Sequence, residues 1–159
     1  MLKCERIAGS DFAYDFRLEL TDKGANDLAK FHAVQQEFRN AIKKEYLESF
    51  PNADRHSVYV DFPLYKLADG KIEGRAIVLS MTVMKMTYDV GTRKGIMAMK
   101  ISSGQFAAAR KYIRKNIETL ARDKNIALTT GEIPPAAKFY LGREELKDGN
   151  ILEIEFKTE

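Results

Sequence analysis

Four cations, Arg110, Lys111, Arg114 and Lys115, stand one, three and four residues apart, and no carboxylate follows until Glu118. On a helix this spacing lines them along one flank, where like charges repel. Such a flank is either a solvated outer face or a place for an anion. The chemistry it offers is phosphate contact without base reading. It therefore predicts weak, sequence-insensitive binding to a nucleic acid or another polyanion, with Tyr112 as an adjacent aromatic.

Few other residues offer reactive chemistry. His32 and His56 are the only histidines, and neither repeats a metal-ligand spacing nor has a sequence-local partner to poise it as a general base. Cys4 is the single cysteine, so no intrachain disulfide forms and a thiolate metal site lacks its ligands. A frayed terminus is expected around it, with no local base or helix start to lower its pKa. Gly91, Gly95 and Gly104 lack the spacing of a phosphate-binding loop. Glu153 and Glu155 alternate with apolar residues on a strand, and Glu144-Glu145 reads as a polar loop. No catalytic residue, metal site or cofactor is assigned. An enzyme would need a site assembled from distant loops, with Thr129 to Lys138 the best candidate segment.

Met81, Met84, Met86, Met97 and Met99 fall on the two arms of a predicted hairpin. Methionine fills irregular core gaps, and it also builds adaptable binding surfaces. The strand from 75 to 88 is apolar on both sides: Ile77, Leu79, Met81 and Val83 on one, Val78, Met84, Met86 and Tyr88 with polar Ser80 and Thr82 on the other. A second apolar face asks for a cover. Met84, Met86 and Tyr88 are therefore the candidate contact for an apolar ligand, a protein partner or a second copy of the chain.

The elements that position these residues follow from periodicity. Tyr14 to Leu20 alternates strictly, as a half-buried strand does. Thr21 and Asp22 offer N-cap oxygens to a helix over 23–49, whose apolar stripe includes Leu28, Phe31, Val34, Phe38, Ile42 and Tyr46. Strands follow at 57–62, 75–88 and 96–101. Ser102-Ser103-Gly104-Gln105 fits a capping box before a second helix reaching about Lys124, with Phe106, Ala109, Ile113, Ile117, Leu120 and Ala121 as its stripe. Short strands are expected at 126–129 and 136–141, and Ile151 to Lys157 alternates cleanly. Asp69-Gly70 and Asp148-Gly149 mark turns.

The fold class is thus α+β, with two amphipathic helices packed on a largely antiparallel sheet of about seven strands. The chain reads as a single domain, 1–159. Leu18-Glu19-Leu20-Thr21 echoes Met99-Lys100-Ile101-Ser102, which admits two β-α-β-β halves, 12–88 and 95–159, or coincidence.

Bulk properties agree with a globular protein: 159 residues, 45% hydrophobic, 31% charged, net charge +3. The first twenty residues hold no apolar signal core, and the stretch from Ala76 to Met86 is too short and polar to span a membrane, so a soluble, cytoplasmic protein is expected. The leading reading is a non-catalytic binding or assembly protein, a possible homo-oligomer, acting through the apolar sheet face. The alternatives are weak nucleic-acid or polyanion binding through the basic cluster and an enzyme with a loop-built site.

Ile117→Ala tests the stripe of the second helix. A core truncation that leaves a cavity should lower unfolding free energy by about 2–5 kcal/mol in a urea titration.

Overall fold

The computed structural model describes residues 2–10, 12–19, 27–68, 70–123 and 131–159. The elements are β1 (Leu2–Arg6), β2 (Ala13–Glu19), α1 (Asp27–Ser49), a 3-10 turn (Arg55–Ser57), β3 (Val58–Ala68), β4 (Lys71–Asp89), β5 (Lys94–Ile101), α2 (Phe106–Lys115), α3 (Ile117–Ala121), β6 (Phe139–Lys147) and β7 (Ile151–Thr158). The seven strands form a mostly antiparallel sheet in the order β1-β2-β4-β5-β7-β6, with β3 also on β4. The α+β class read from the sequence holds at that level.

The chain divides into two compact units, 1–79 and 80–159, and the division falls inside β4. In the first unit the order is β1-β2-β4-β3; in the second it is β4-β5-β7-β6. Each unit therefore runs strand, strand, helix, strand, strand, with the last strand lying between the second and third. The sequence-drawn halves at 12–88 and 95–159 omit β1 and place the break at the hairpin loop. The region around Cys4 is not frayed: Cys4 lies in β1, opposite Phe16.

The first core is aromatic. Phe16 from β2, Phe38 from α1 and Phe62 from β3 meet edge to face, with centroids 5.0 Å (Phe16–Phe38), 5.3 Å (Phe16–Phe62) and 6.4 Å (Phe38–Phe62) apart. Steps of four bring Phe38, Ile42 and Tyr46 to one side of α1, and all three are buried in this cluster. The cap expected at Thr21 and Asp22 lies outside the described residues, as does the strand expected at 126–129.

The second unit buries Ala109 and Ile113 of α2 and Ile117, Leu120 and Ala121 of α3. One continuous helix was expected here, and Asn116 is why there are two. Its side-chain Nδ2 donates to the Tyr112 carbonyl at 2.9 Å, and its own N–H donates to the same oxygen. An asparagine that bonds locally in this way competes with helix propagation. The expected capping box is absent as well. Gly104 takes φ +84, and Gln105 Oε1 accepts from the Ser80 N–H at 2.9 Å instead of reaching back to Ser102.

β4 does not present two apolar faces. Its buried positions run Ile72, Ala76, Val78, then Leu79 and Met81, then Met86 and Tyr88. Alternation breaks at Val78/Leu79 and again at a bulge between Val83 and Lys85, where the ladder to β5 shifts register. One extra residue sends every following side chain to the opposite side. Met86 therefore pairs across to Met97, and Tyr88 to Gly95, on the same side as Met81. Met86 and Tyr88 are 0% and 3% exposed, whereas Met84, in the bulge, is 50% exposed. Only Met84 of the three proposed contact residues is open to a partner. The other two are covered by their own chain, because strict period-two counting does not see the bulge. The core reading of Met81, Met86, Met97 and Met99 agrees with their burial.

Gly70 and Gly149 take φ values of +72 and +79, as their Asp-Gly turns require. No helix among the described residues is long and apolar enough to cross a membrane.

Gly95 sits opposite both Tyr88 and Phe156. The Phe156 ring stacks 6.3 Å from Tyr88 and 5.4 Å from Phe139, and a Cβ at position 95 would meet its ring carbons at 2.3–2.7 Å. Gly95→Ala should displace that ring and cost about 1–3 kcal/mol in chemical unfolding, the usual penalty for overpacking.

Candidate functional site

The basic cluster is divided by its surroundings. Arg110 and Arg114 turn toward β6 and converge on Glu144. Arg110 Nε donates to Glu144 Oε2 at 2.8 Å, and Arg114 Nη1 donates to Glu144 Oε1. Each carboxylate oxygen thus holds one guanidinium. The glutamate side chain is 16% exposed, against 46% and 41% for the two arginines. A surface ion pair of this kind contributes about 0–1 kcal/mol, so its main effect is positional. It fixes α2 to β6 and removes the (i, i+4) repulsion between Arg110 and Arg114.

Lys111 and Lys115 also stand four apart, and both are exposed. Among the described residues neither forms an ion pair, and α2 itself carries no acid. Arg114 and Lys115 occupy its last turn, where cations offset the negative end of the helix dipole. That stabilisation accounts for one lysine locally but not for Lys111. Residues 80–159 hold fourteen Lys and Arg against ten Asp and Glu, a surplus of +4, whereas 1–79 carries −1. The site lies on the charged half of the chain.

Glu144 is the member of this cluster that sequence reasoning missed. It lies in strand β6 and not in a polar loop. The alternation that would have marked it is broken by a register shift between Leu141 and Glu144. Arg122 has a different task. It sits 5.2 Å over the Phe139 ring, donates to the Pro134 carbonyl at 2.9 Å and pairs with Glu118 at 3.3 Å. It therefore pins the segment before β6 to α3, and in its described part, 131–138, the segment proposed for an enzyme site is held in place by this arginine.

The first unit has an open concavity of about 720 Å³ on the sheet face that carries Glu5, Arg17, Glu73 and Arg75. Its charges are largely matched internally: Arg17 lies 3.6 Å from Glu73, and Arg75 lies 3.8 Å from Asp15. A surface so paired offers little net attraction to a ligand of one sign. A second hollow of about 490 Å³ in the other unit mixes Lys94 and Lys157 with Asp89 and Glu155 in the same way.

His56 is exposed in the 3-10 turn, where its backbone N–H donates to Asp54 at 2.9 Å, and it faces no catalytic partner in that bond. Cys4 Sγ lies 3.9 Å from Glu45 Oε2 on α1. Burial pushes the thiol pKa up, and the glutamate charge and hydrogen bond push it further. Nearby, the Tyr14 hydroxyl is buried without a hydrogen-bond partner among the described residues, and its pKa also rises through burial. These are conditions that suppress a thiolate, the reverse of what a nucleophile needs.

No protein-family model, curated protein or solved structure matches this chain.

The raised Cys4 pKa has a direct readout. A pKa above its ordinary value lowers the thiolate fraction at any pH below it. Iodoacetamide at mildly alkaline pH should therefore modify Cys4 several-fold more slowly in the folded protein than in urea. Glu45→Gln should restore part of the rate and not all of it, because burial is the larger cause.

Proposed function

We propose that the protein is a non-catalytic nucleic-acid-binding protein that takes up phosphate backbone along α2. The observation that carries this reading is the Lys111–Lys115 pair: two exposed ammonium groups, one helical turn apart, with no carboxylate among the described residues to neutralise them. Beside them, Glu144 holds two guanidiniums in fixed positions. An arginine immobilised in this way loses less side-chain freedom when a phosphate arrives. No recognition motif accompanies the cluster in the sequence, so affinity comes from counterion release and is indifferent to sequence.

This reading replaces contact through the apolar face of β4. A partner gripping Met84, Met86 and Tyr88 together would need all three exposed, and the burial of the last two argues against it.

Anisotropy of a labelled single-stranded oligonucleotide tests the proposal. Lys111→Glu with Lys115→Glu should weaken binding at least tenfold. It should also flatten the log–log salt slope by about 1.4, roughly 0.7 for each phosphate that is no longer neutralised. Melting should fall only slightly, since neither lysine is part of an ion pair and Lys115 alone offsets the helix dipole. Glu144→Gln removes a negative charge from the site and should tighten binding. A double lysine variant that binds like the parent, or a parent that binds nothing at low salt, would overturn the reading.

A further inference from the structure

The charges on the first unit's sheet are paired on one side of β2 and unpaired on the other. Across β2 and β4 the register sets Arg17 against Glu73, Asp15 against Arg75 and Glu19 against Lys71. All three are opposite in sign, and ion pairs form at the first two. Across β1 and β2 the register does the reverse. Lys3 faces Arg17, and Glu5 faces Asp15. Like charges directly opposite each other destabilise a ladder. Lys3 and Glu5 are exposed, and neither forms an ion pair among the described residues.

β1 is also a sheet edge. It stands at the end of the strand order, and β2 is its one described partner. The other edges carry protection. β3 holds Pro63 at its centre, which removes a donor from the ladder. β6 carries Arg143, Glu144, Glu145 and Lys147 and a register shift. β1 has no proline and no bulge, and its five residues pair with β2 in unbroken register; its protection is its charges, Lys3, Glu5 and Arg6, which disfavour any strand that does not match them.

In this edge, Leu2-Lys3-Cys4-Glu5-Arg6, reversal about Cys4 exchanges Lys3 with Glu5 and so brings opposite charges together. We infer that β1 is a self-association surface, on which a second copy of this chain pairs antiparallel through its own β1. In that register Lys3 of each copy stands opposite Glu5 of the other, so both charges that face like charges within the chain gain partners of opposite sign. The arrangement is isologous and closes at two copies. A five-residue edge buries far less than the roughly 1,600 Å² of a standard interface, so the dimer is weak, with a dissociation constant of about 0.1–1 mM. Cys4 marks the two-fold axis. Residues directly opposite in an antiparallel pair have Cα atoms about 4.5–5.5 Å apart, within the span of a disulfide. This surface is independent of the phosphate-binding face on α2.

A charge swap tests it in the full chain by light scattering over a dilution series at low salt. Lys3→Glu alone sets glutamate against Glu5 of the other copy. Glu5→Lys alone sets lysine against Lys3. Each should weaken association about tenfold or more, given two altered pairs per dimer. The double swap restores both pairs and should recover the parent's association. Folding is not at risk, because each change also removes a like-charge clash with β2: Lys3→Glu faces Arg17, and Glu5→Lys faces Asp15. Copper phenanthroline in air, with oxygen taking up the two electrons and two protons that the thiols release, should cross-link Cys4 to Cys4 in the parent and the double swap, and much less in either single variant. A parent that stays monomeric at millimolar concentration would overturn the inference. So would single variants that associate like the parent, or a double swap that does not recover.

Discussion

Three of the strands, β2, β3 and β5, find their ladders on β4, so its backbone is the constraint to which both units answer. It is nineteen residues long, several times the usual strand, and the chain divides within it. A strand that serves two cores must reset which of its side chains face inward. It does so at Val78/Leu79, where buried positions pass from even to odd. The bulge at Met84 has the other task of keeping Met86 and Tyr88 on the side of Met81 in the second unit. Without it, Met86 and Tyr88 would be turned away from Met97 and Gly95, and the Tyr88–Phe156–Phe139 stack could not form.

The electrostatics are organised by the same economy of partners. Where two strands are both interior, β2 against β4, opposite charges meet. Where a strand is an edge, β1, they do not. Where a helix carries only cations, a distant strand supplies one glutamate, and Glu144 serves two arginines at once. Surface pairs contribute little energy individually. Their consequence is in what they leave over. Lys111, Lys115, Lys3 and Glu5 are charges that the chain places at its surface without ion partners among the described residues, and both proposed interactions are built on them.

The sequence made the local elements legible wherever one period held over the whole segment. Tyr14 to Glu19, Ile151 to Lys157 and the Phe38–Ile42–Tyr46 stripe are each one period in one environment, and the structure has them where expected. The Asp-Gly turns were legible for a different reason, since few residues tolerate positive φ. What was hidden was hidden by local exceptions to a period. Asn116 splits a helix whose apolar stripe runs on unbroken through Ile117 and Leu120. Gln105 abandons its cap to bond a strand amide. The β4 bulge reverses a face while leaving composition unchanged. Five residues of β1 are too few, and too charged, for a pattern to show. Of the candidate site, the four cations were legible, but Glu144 was not, because it arrives from thirty residues away along a strand with interrupted register.

The exposure of Met84 has a consequence for the ageing of the molecule under oxidants. Among the methionines of β4 and β5, Met81, Met86, Met97 and Met99 are sealed in the core, and Met84 alone presents its thioether to solvent. Peroxide converts methionine to a polar sulfoxide, and in a core that change disrupts packing. Here the first sulfoxide forms at a residue already set outside the ladder, where added polarity is harmless. Oxidation of Met84 should therefore precede that of the four buried methionines. Sulfoxide at any of the other four would report that the second unit had opened, so the order in which these methionines oxidise reads out the local stability of the hairpin that carries them.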